Sequence, residues 1–220
     1  GKNDRASIES DFSALTTQTI LHSQYAGDVA AVGKLTVLDC TFRDGGYYNN
    51  WQFDSELTRQ YLQVMSDSKV DVVEIGFRLL PKSTFRGPFF YSTDDYLTSL
   101  SLPEGPQYGV MINAGEVIDW AADSADTIRQ LFSKAVDSRI SLVRIAAHFR
   151  DVEYLSPVIA ALKELGYQIV VNLMQAAGRS ESDLESAVKA IDAMNAVSVL
   201  YFADSLGNME SDLVVMIIDA

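Results

Sequence analysis

The chain has 220 residues, 48% of them hydrophobic and 21% charged, an ordinary balance for one packed domain and not that of a disordered polypeptide. Its formal net charge of −13 repels nucleic acid and anionic membrane surfaces, though not a small anion held by a local cation. One cysteine, Cys40, excludes an intrachain disulfide; no apolar run nears the roughly 20 residues that span a bilayer, and no signal-peptide order opens the chain, so a reducing cytoplasm is the expected compartment.

Residues 1–33 are rich in Ser, Thr, Gln, Asp and Ala, and read as an N-terminal extension or linker. From residue 34 to 220 the texture changes. Apolar or β-branched runs fall at Leu35–Cys40, Val70–Ile75, Tyr108–Ile112, Ser141–Ala146, Gln168–Leu173 and Val197–Phe202. Stretches of helical period lie between most of them, such as Leu57, Tyr61 and Met65, then Val152, Leu155, Ile159 and Leu162, then Leu184, Val188 and Ile191. Asp54, Ser124, Asp151 and Ser180 are suitable N-caps, and Gly166 suits a left-handed helix end. Strands alternating with helices predict parallel βαβ units, and near-continuously apolar strands predict that both faces are covered.

Six such units at a pitch of roughly 30 residues predict an α/β TIM barrel, which ordinarily has eight. The expectation is therefore a piece of a longer barrel. The competing architecture is a doubly wound open sheet, but that fold usually carries a Gly-rich phosphate loop after its first strand, and RDGGYYNNW stands there instead.

The most informative stretch is LDCTFRDGG, Leu38 to Gly46. It predicts a buried strand ending in a cluster of Asp39, Arg43 and Asp44, closed by a Gly-Gly turn. Fixed opposite charges at the carboxyl end of a parallel strand mark a ligand site, with Asp44 a candidate ligand for a divalent metal. The plainer alternative is a strand-capping ion pair before a turn. Cys40, within the apolar run, reads as a small core residue rather than a nucleophile. The later strands each offer a polar group near their carboxyl ends: Glu74, Asn113, His148, Asn172 with Gln175, and Asp204 with Ser205.

Such groups suit a definite chemistry. A metal held by carboxylate and imidazole chelates a 2-oxo acid and polarises its keto oxygen. Arg43 adds a second positive charge for the same oxygen, and Glu74 on the next strand can hold the guanidinium plane bidentately. That set supports enolate formation, hence aldol or Claisen chemistry.

LDCTFRDGG, VVEIG, LVRIAAHFRD, VVNLMQ and YFADSLG, in this order and spacing, resemble the metal-dependent DRE-TIM superfamily, whose members include HMG-CoA lyase, isopropylmalate and homocitrate synthases and the 4-hydroxy-2-oxovalerate aldolases. The His148 and ADSLG stretches look most like the aldolase branch. The resemblance implies an eight-stranded barrel, a 2-oxo acid substrate, Arg43 as the enolate-stabilising arginine, Asp44 as a ligand of Mn²⁺ or Mg²⁺, Glu74 as the third letter of the signature, and Ser205 as a substrate contact beside His148 and Asn172. The chain departs from that pattern in two places. The superfamily's His-x-His metal pair follows a seventh strand, and the only histidines here are His22 and His148. The aldolase's general-base histidine falls at Tyr47, whose ordinary pKa of about 10 makes it a weak base near neutrality.

The segment GFRLLPKSTFRGPFFYST, Gly76 to Thr93, is long for a connection. It reads either as a lid in which Arg78, Lys82 or Arg86 meets an anionic substrate, or as a surface loop against a neighbouring subunit. Trp51 and Trp120 read as core or interface residues. Three functions are thus in view: an aldolase-type lyase, a Claisen-type acyl-CoA enzyme, and a catalytically silent barrel used as a regulatory or scaffold module. A homo-oligomer or a partner domain is compatible with each, and a nucleic-acid or membrane partner with none.

Overall fold

A computed structural model describes residues 35–118, 123–204 and 206–219. The expected extension over 1–33, Trp120 and the substrate contact expected at Ser205 lie outside the described residues.

Six strands make one sheet: β1 Leu38–Asp39, β2 Val72–Phe77, β3 Gln107–Asn113, β4 Leu142–His148, β5 Gln168–Met174 and β6 Val197–Ala203. They are hydrogen-bonded in the order β1-β2-β3-β4-β5-β6, and every pair is parallel. Sequential parallel order is that of consecutive barrel units, whereas a doubly wound sheet reverses order at its switch point. The architecture is therefore TIM-barrel-like and the doubly wound alternative falls. Among the described residues the sheet does not close on itself.

The helices are α1 Thr41–Asn49, α2 Ser55–Asp67, α3 Pro88–Tyr91, α4 Asp94–Ser99, α5 Ala114–Val117, α6 Ser124–Leu131, α7 Leu155–Glu164, α8 Glu181–Ala193 and α9 Ser211–Asp219. Two begin where the sequence places a cap. Asp54 accepts from the Glu56 and Leu57 amides at 3.0 and 2.9 Å, and Ser180 accepts from the Asp183 amide at 3.2 Å. The other two caps shift: Asp123, not Ser124, caps α6, and Asp151 sits in a 3₁₀ turn before α7. Gly166 adopts φ 88° just past α7, as its place predicted.

Alternate strand residues divide the sheet into two faces. Val73, Ile75, Val110, Ile112, Val143, Ile145, Val171 and Leu173 join one continuous core with Leu62 of α2, Ile128 of α6, Leu155, Ile159 and Leu162 of α7 and Ile191 of α8. On the opposite face Val72, Leu142 and Val170 form a separate small cluster, against which Leu38 and Tyr201 pack. Glu74, Arg144 and Asn172 share the parity of that second cluster and follow it toward the carboxyl ends of the strands.

The N-terminal motif departs from expectation. β1 is short, with Leu35 outside it and 79% exposed. The charged pair Arg43 and Asp44, closed by Gly45 and Gly46, lies within a nine-residue helix, α1 Thr41–Asn49, so the alternative of a Gly-Gly turn there falls. Glycine opposes helix intrinsically, so tertiary contacts hold α1 in place. Phe42 is buried and meets Phe89, Phe53 and Tyr61 at ring centroid distances of 4.7, 5.0 and 5.0 Å. Gly46 is required by space: a Cβ there would stand 2.1 Å from the Trp51 indole. The second glycine of the motif thus makes room for Trp51 and turns nothing.

Candidate active site

Arg43 lies in the first turn of α1, directly after β1, and turns its guanidinium to Glu74 in the middle of β2. The Arg43 side chain is 15% exposed and the Glu74 side chain is fully buried. Arg43 Nε donates to Glu74 Oε1 in a short contact. The other oxygen, Oε2, accepts from Arg144 Nη1 at 2.7 Å. The two residues meet across β3, whose residue paired with Glu74 is Gly109, so no side chain of that position intervenes.

Glu74 thus joins guanidiniums from two other elements. Burial pushes its carboxyl up, against the pull of Arg144 and Arg43. Both of its oxygens accept N–H groups from cations, and that geometry holds the carboxylate form. For Arg43, burial lowers the pKa, and the charge and hydrogen bond of Glu74 outweigh it, so the guanidinium is held firmly protonated.

Asp44 is the outer member. Its side chain is 57% exposed, and its oxygens take Arg43 Nη1 at 2.7 Å and Nη2 at 3.3 Å. The Cys40 thiol also donates to Asp44, at 3.3 Å. Burial, then the Asp44 hydrogen bond and charge, push the Cys40 thiol up, so it is kept in the unreactive thiol form. Cys40 itself caps α1 and is half-buried, rather than lying in a strand of the core.

The strand-end groups are not all brought together. Tyr47 stands one turn after Arg43 on α1, hence on the same helical side. Its residue is 66% exposed, with the ring against Trp51 at 4.8 Å and Phe77 at 6.4 Å. His148 ends β4 half-buried, and its amide donates to Asp151 at 2.9 Å. Asn172 is buried in β5, and its Oδ1 has no hydrogen-bond partner among the described residues. Asp204 closes the turn after β6 by accepting from the Asn208 and Met209 amides at 2.9 and 3.1 Å.

Arg144 is the member of this cluster that the strand-end rule misses, because it stands third in β4, inside an apolar run. Tyr201 is a second, its ring 5.1 Å from the Arg144 Cζ and its hydroxyl buried without a partner among the described residues. A signal existed: VVEIG and LVRIA each place one charge inside a buried strand, which is tolerable only where opposite charges meet. Arg78 errs in the other direction. The lid reading offers it to substrate, but it is 1% exposed and donates to the Ser92 carbonyl at 2.9 and 2.6 Å and to Asp94 at 2.9 Å. It is a structural tie. A cavity of about 880 Å³ beside it is lined by Asp94, Arg129 and Phe132 among others, and by none of Arg43, Glu74 or Arg144.

The donors among the described residues do not suit a divalent metal on their own. Asp44 is one exposed carboxylate already occupied by Arg43, and no group of three His, Cys, Asp or Glu side chains able to hold an ion occurs among the described residues. They do not make a metal site by themselves. No helix among them is long and apolar enough to cross a membrane.

No protein-family model matches the chain. Among curated proteins, a 4-hydroxy-2-oxovalerate aldolase of Geobacillus genomosp. 3 is 27% identical over 189 residues, 80% of this chain and 50% of that protein. One of Pelotomaculum thermopropionicum is 24% identical over 180 residues, 81% of this chain and 50% of that protein. Among solved structures, the N-terminal domain of a presumed aldolase from Bacteroides vulgatus superposes with a TM-score of 0.73 at 25% identity, covering 84% of this chain and 60% of the other. The chain spans about half the length of the curated relatives it matches. These likenesses relate it to the DRE-TIM-like aldolases.

Proposed function

We propose that this chain carries the enolate-holding part of an aldolase-type lyase that cleaves a 4-hydroxy-2-oxo acid to pyruvate and an aldehyde. The observation that supports it best is the Arg43 guanidinium, fixed by buried Glu74 at the carboxyl end of β1 and beside an exposed Asp44.

Breaking the C3–C4 bond of such a substrate leaves an electron pair that delocalises onto the keto oxygen. The C4 hydroxyl gives its proton to a base and becomes the aldehyde carbonyl, and the enolate takes a proton at C3 to become pyruvate. A fixed guanidinium at the keto oxygen is worth more to that transition state than to the ground state. Glu74 takes Nε and keeps the plane in place; the outer nitrogens face Asp44, which can turn to solvent and yield them to substrate. Arg43 and Arg144 outnumber buried Glu74 by one positive charge, which exposed Asp44 neutralises until it turns to solvent and leaves that charge to an anionic 2-oxo acid. Tyr47, one turn from Arg43, is the proposed proton acceptor. Asn172, with its unpartnered oxygen, His148 and Ser205 are proposed substrate contacts. Mn²⁺ or Mg²⁺ would supply Lewis acidity, with Asp44 contributing one oxygen and the remaining ligands coming from outside the described residues.

The test uses the natural full-length polypeptide with 4-hydroxy-2-oxovalerate and Mn²⁺, and reads pyruvate by coupled reduction to lactate. Pyruvate release is expected, falling by about 10²–10³ in Arg43→Ala, the range for loss of one oxyanion donor. No pyruvate from the wild type overturns the lyase reading in favour of a silent barrel. Release of free CoA from an acyl-CoA substrate would instead favour the Claisen branch.

A further inference from the structure

Beside the Arg43 site lies a second cavity, of about 500 Å³, whose lining includes Tyr47, Trp51, Phe77, Phe90, Lys82 and Arg86. Its walls are an aromatic box. Trp51 contacts Tyr47 at 4.8 Å, Phe90 at 4.8 Å and Phe77 at 5.9 Å between ring centroids. Phe77 is shared with the site already described, because the Arg43 Cζ lies 5.7 Å from its ring centroid. Trp51 is tied to the same site, its indole N–H donating to the Arg43 carbonyl at 3.1 Å. The cavity and the Arg43 guanidinium are therefore neighbours with one ring between them.

The charges in the cavity do not balance. Lys82 pairs with Glu116 at 2.5 Å, and Asn113 supports that carboxylate at 3.4 Å. Arg86 has no carboxylate within ion-pair distance among the described residues. Its guanidinium lies over Trp51 and Phe90 instead, 5.2 and 5.1 Å from their centroids. Among the described residues the one acceptor its guanidinium meets is Asn50 Oδ1, at a long 3.4 Å. A guanidinium has five N–H donors, so most of its capacity is unspent. In a chain with 30 acidic and 17 basic residues a counter-charge for an exposed arginine is easily supplied, and among the described residues none is. Two aromatic rings sit against the guanidinium and favour its charge while spending none of its N–H donors. That is how a protein presents an arginine to an incoming anion.

We propose that this cavity is a subsite for a negatively charged group, a carboxylate or a phosphate, on the aldehyde-derived end of the substrate, and that Arg86 selects it. The proposal rests on the lyase reading for its link to Arg43. It narrows the substrate to 4-hydroxy-2-oxo acids whose tail ends in an anion, with Tyr47 and Phe77 covering the intervening carbon chain. The volume lies within the range of small-molecule sites.

The experiment measures affinity without metal or pyruvate, so that it does not depend on turnover. Three unreactive alcohols are titrated calorimetrically into the protein: 4-hydroxybutyrate, glycerol 3-phosphate and neutral butane-1,4-diol. At least one of the two anions is expected to bind about tenfold or more tighter than the diol, as one charge-assisted hydrogen bond gives. Whichever anion binds tighter identifies the tail as carboxylate or phosphate. Arg86→Gln should erase the preference, and Arg86→Lys, which keeps the charge but not the guanidinium, should restore part of it. Equal affinity for all three alcohols, or a preference that survives Arg86→Gln, overturns the subsite. A protein that releases pyruvate yet shows no anion preference overturns the subsite alone. An Arg86-dependent preference in a protein that releases no pyruvate upholds the subsite and overturns the lyase reading.

Discussion

The two faces of the sheet use the same strands for opposite ends. On the face that joins the main core, Val73, Ile75, Val110, Ile112, Val143, Ile145, Val171 and Leu173 are wholly buried and apolar. On the other, Glu74, Arg144 and Asn172 are nearly as buried and are polar or charged. Burial alone therefore does not separate scaffold from site in this molecule. Parity does: a single residue step along β2 passes from Val73, packed in the core, to Glu74, which holds two cations. The core face tolerates exchange among apolar side chains of similar volume, while Glu74 and Arg144 on the other tolerate little, because each answers an opposite charge.

The largest expected effect comes from breaking the charged face. Glu74→Ala leaves two guanidiniums without their shared carboxylate, and removal of one partner from a buried pair costs about 3–5 kcal/mol. Urea unfolding should show a lowered midpoint, and Arg43 should lose its fixed plane, so pyruvate affinity falls with stability. Undiminished pyruvate affinity in a folded Glu74→Ala protein would detach Glu74 from the site. On the opposite face, Ile145→Ala should cost about 2–4 kcal/mol through lost packing and a residual cavity. There pyruvate affinity, measured where the variant is still folded, should not move. If it moves as much as in Glu74→Ala, the distinction between the faces is lost.

The smallest effect sharpens the comparison at its margin, where a structural ion pair lies away from both faces. The Asp94 carboxyl is raised by burial, but the Ser138 hydrogen bond and the Arg78 charge outweigh this and hold it below the usual range. A carboxyl with a depressed folded pKa contributes stability above its unfolded pKa of about 3.9, and that contribution is lost as pH falls through the folded value. Asp94→Asn should cost about 1 kcal/mol near pH 7. Its acid unfolding below roughly pH 4 should be shallower than that of the wild type. An acid limb identical in both proteins would remove Asp94 from the linkage.

Much of the fold is legible in the sequence because parallel strands covered on both faces read as apolar runs, and the helices between them carry their own period and caps. Ser180 and Asp54 announce α8 and α2 by local chemistry alone. The helix at Arg43 is not legible, since two glycines argue against it locally and the packing of Phe42 on Phe89 comes from far along the chain. Arg43, Asp44 and Glu74 stand out as a charged trio around glycines and short apolar runs. Arg144 hides because a charge inside a strand looks like an exposed edge until the partner on β2 is seen. Arg78 misleads because its position just past β2 is where ligands bind, and only the fold shows that its Nε and Nη2 are tied to the Ser92 carbonyl and Asp94.

The Arg43–Glu74–Arg144 bridge spans three segments of the chain, each separated from the next by more than thirty positions. A drifting gene cannot exchange this trio one codon at a time: losing the acid strands two bases, and losing either base leaves the acid with half its neutralisation in a place that water does not reach. Such a lock outlasts the chemistry it was built for. Relatives with or without turnover should keep the three residues, so that their presence alone tells of a shared scaffold before it tells of any reaction.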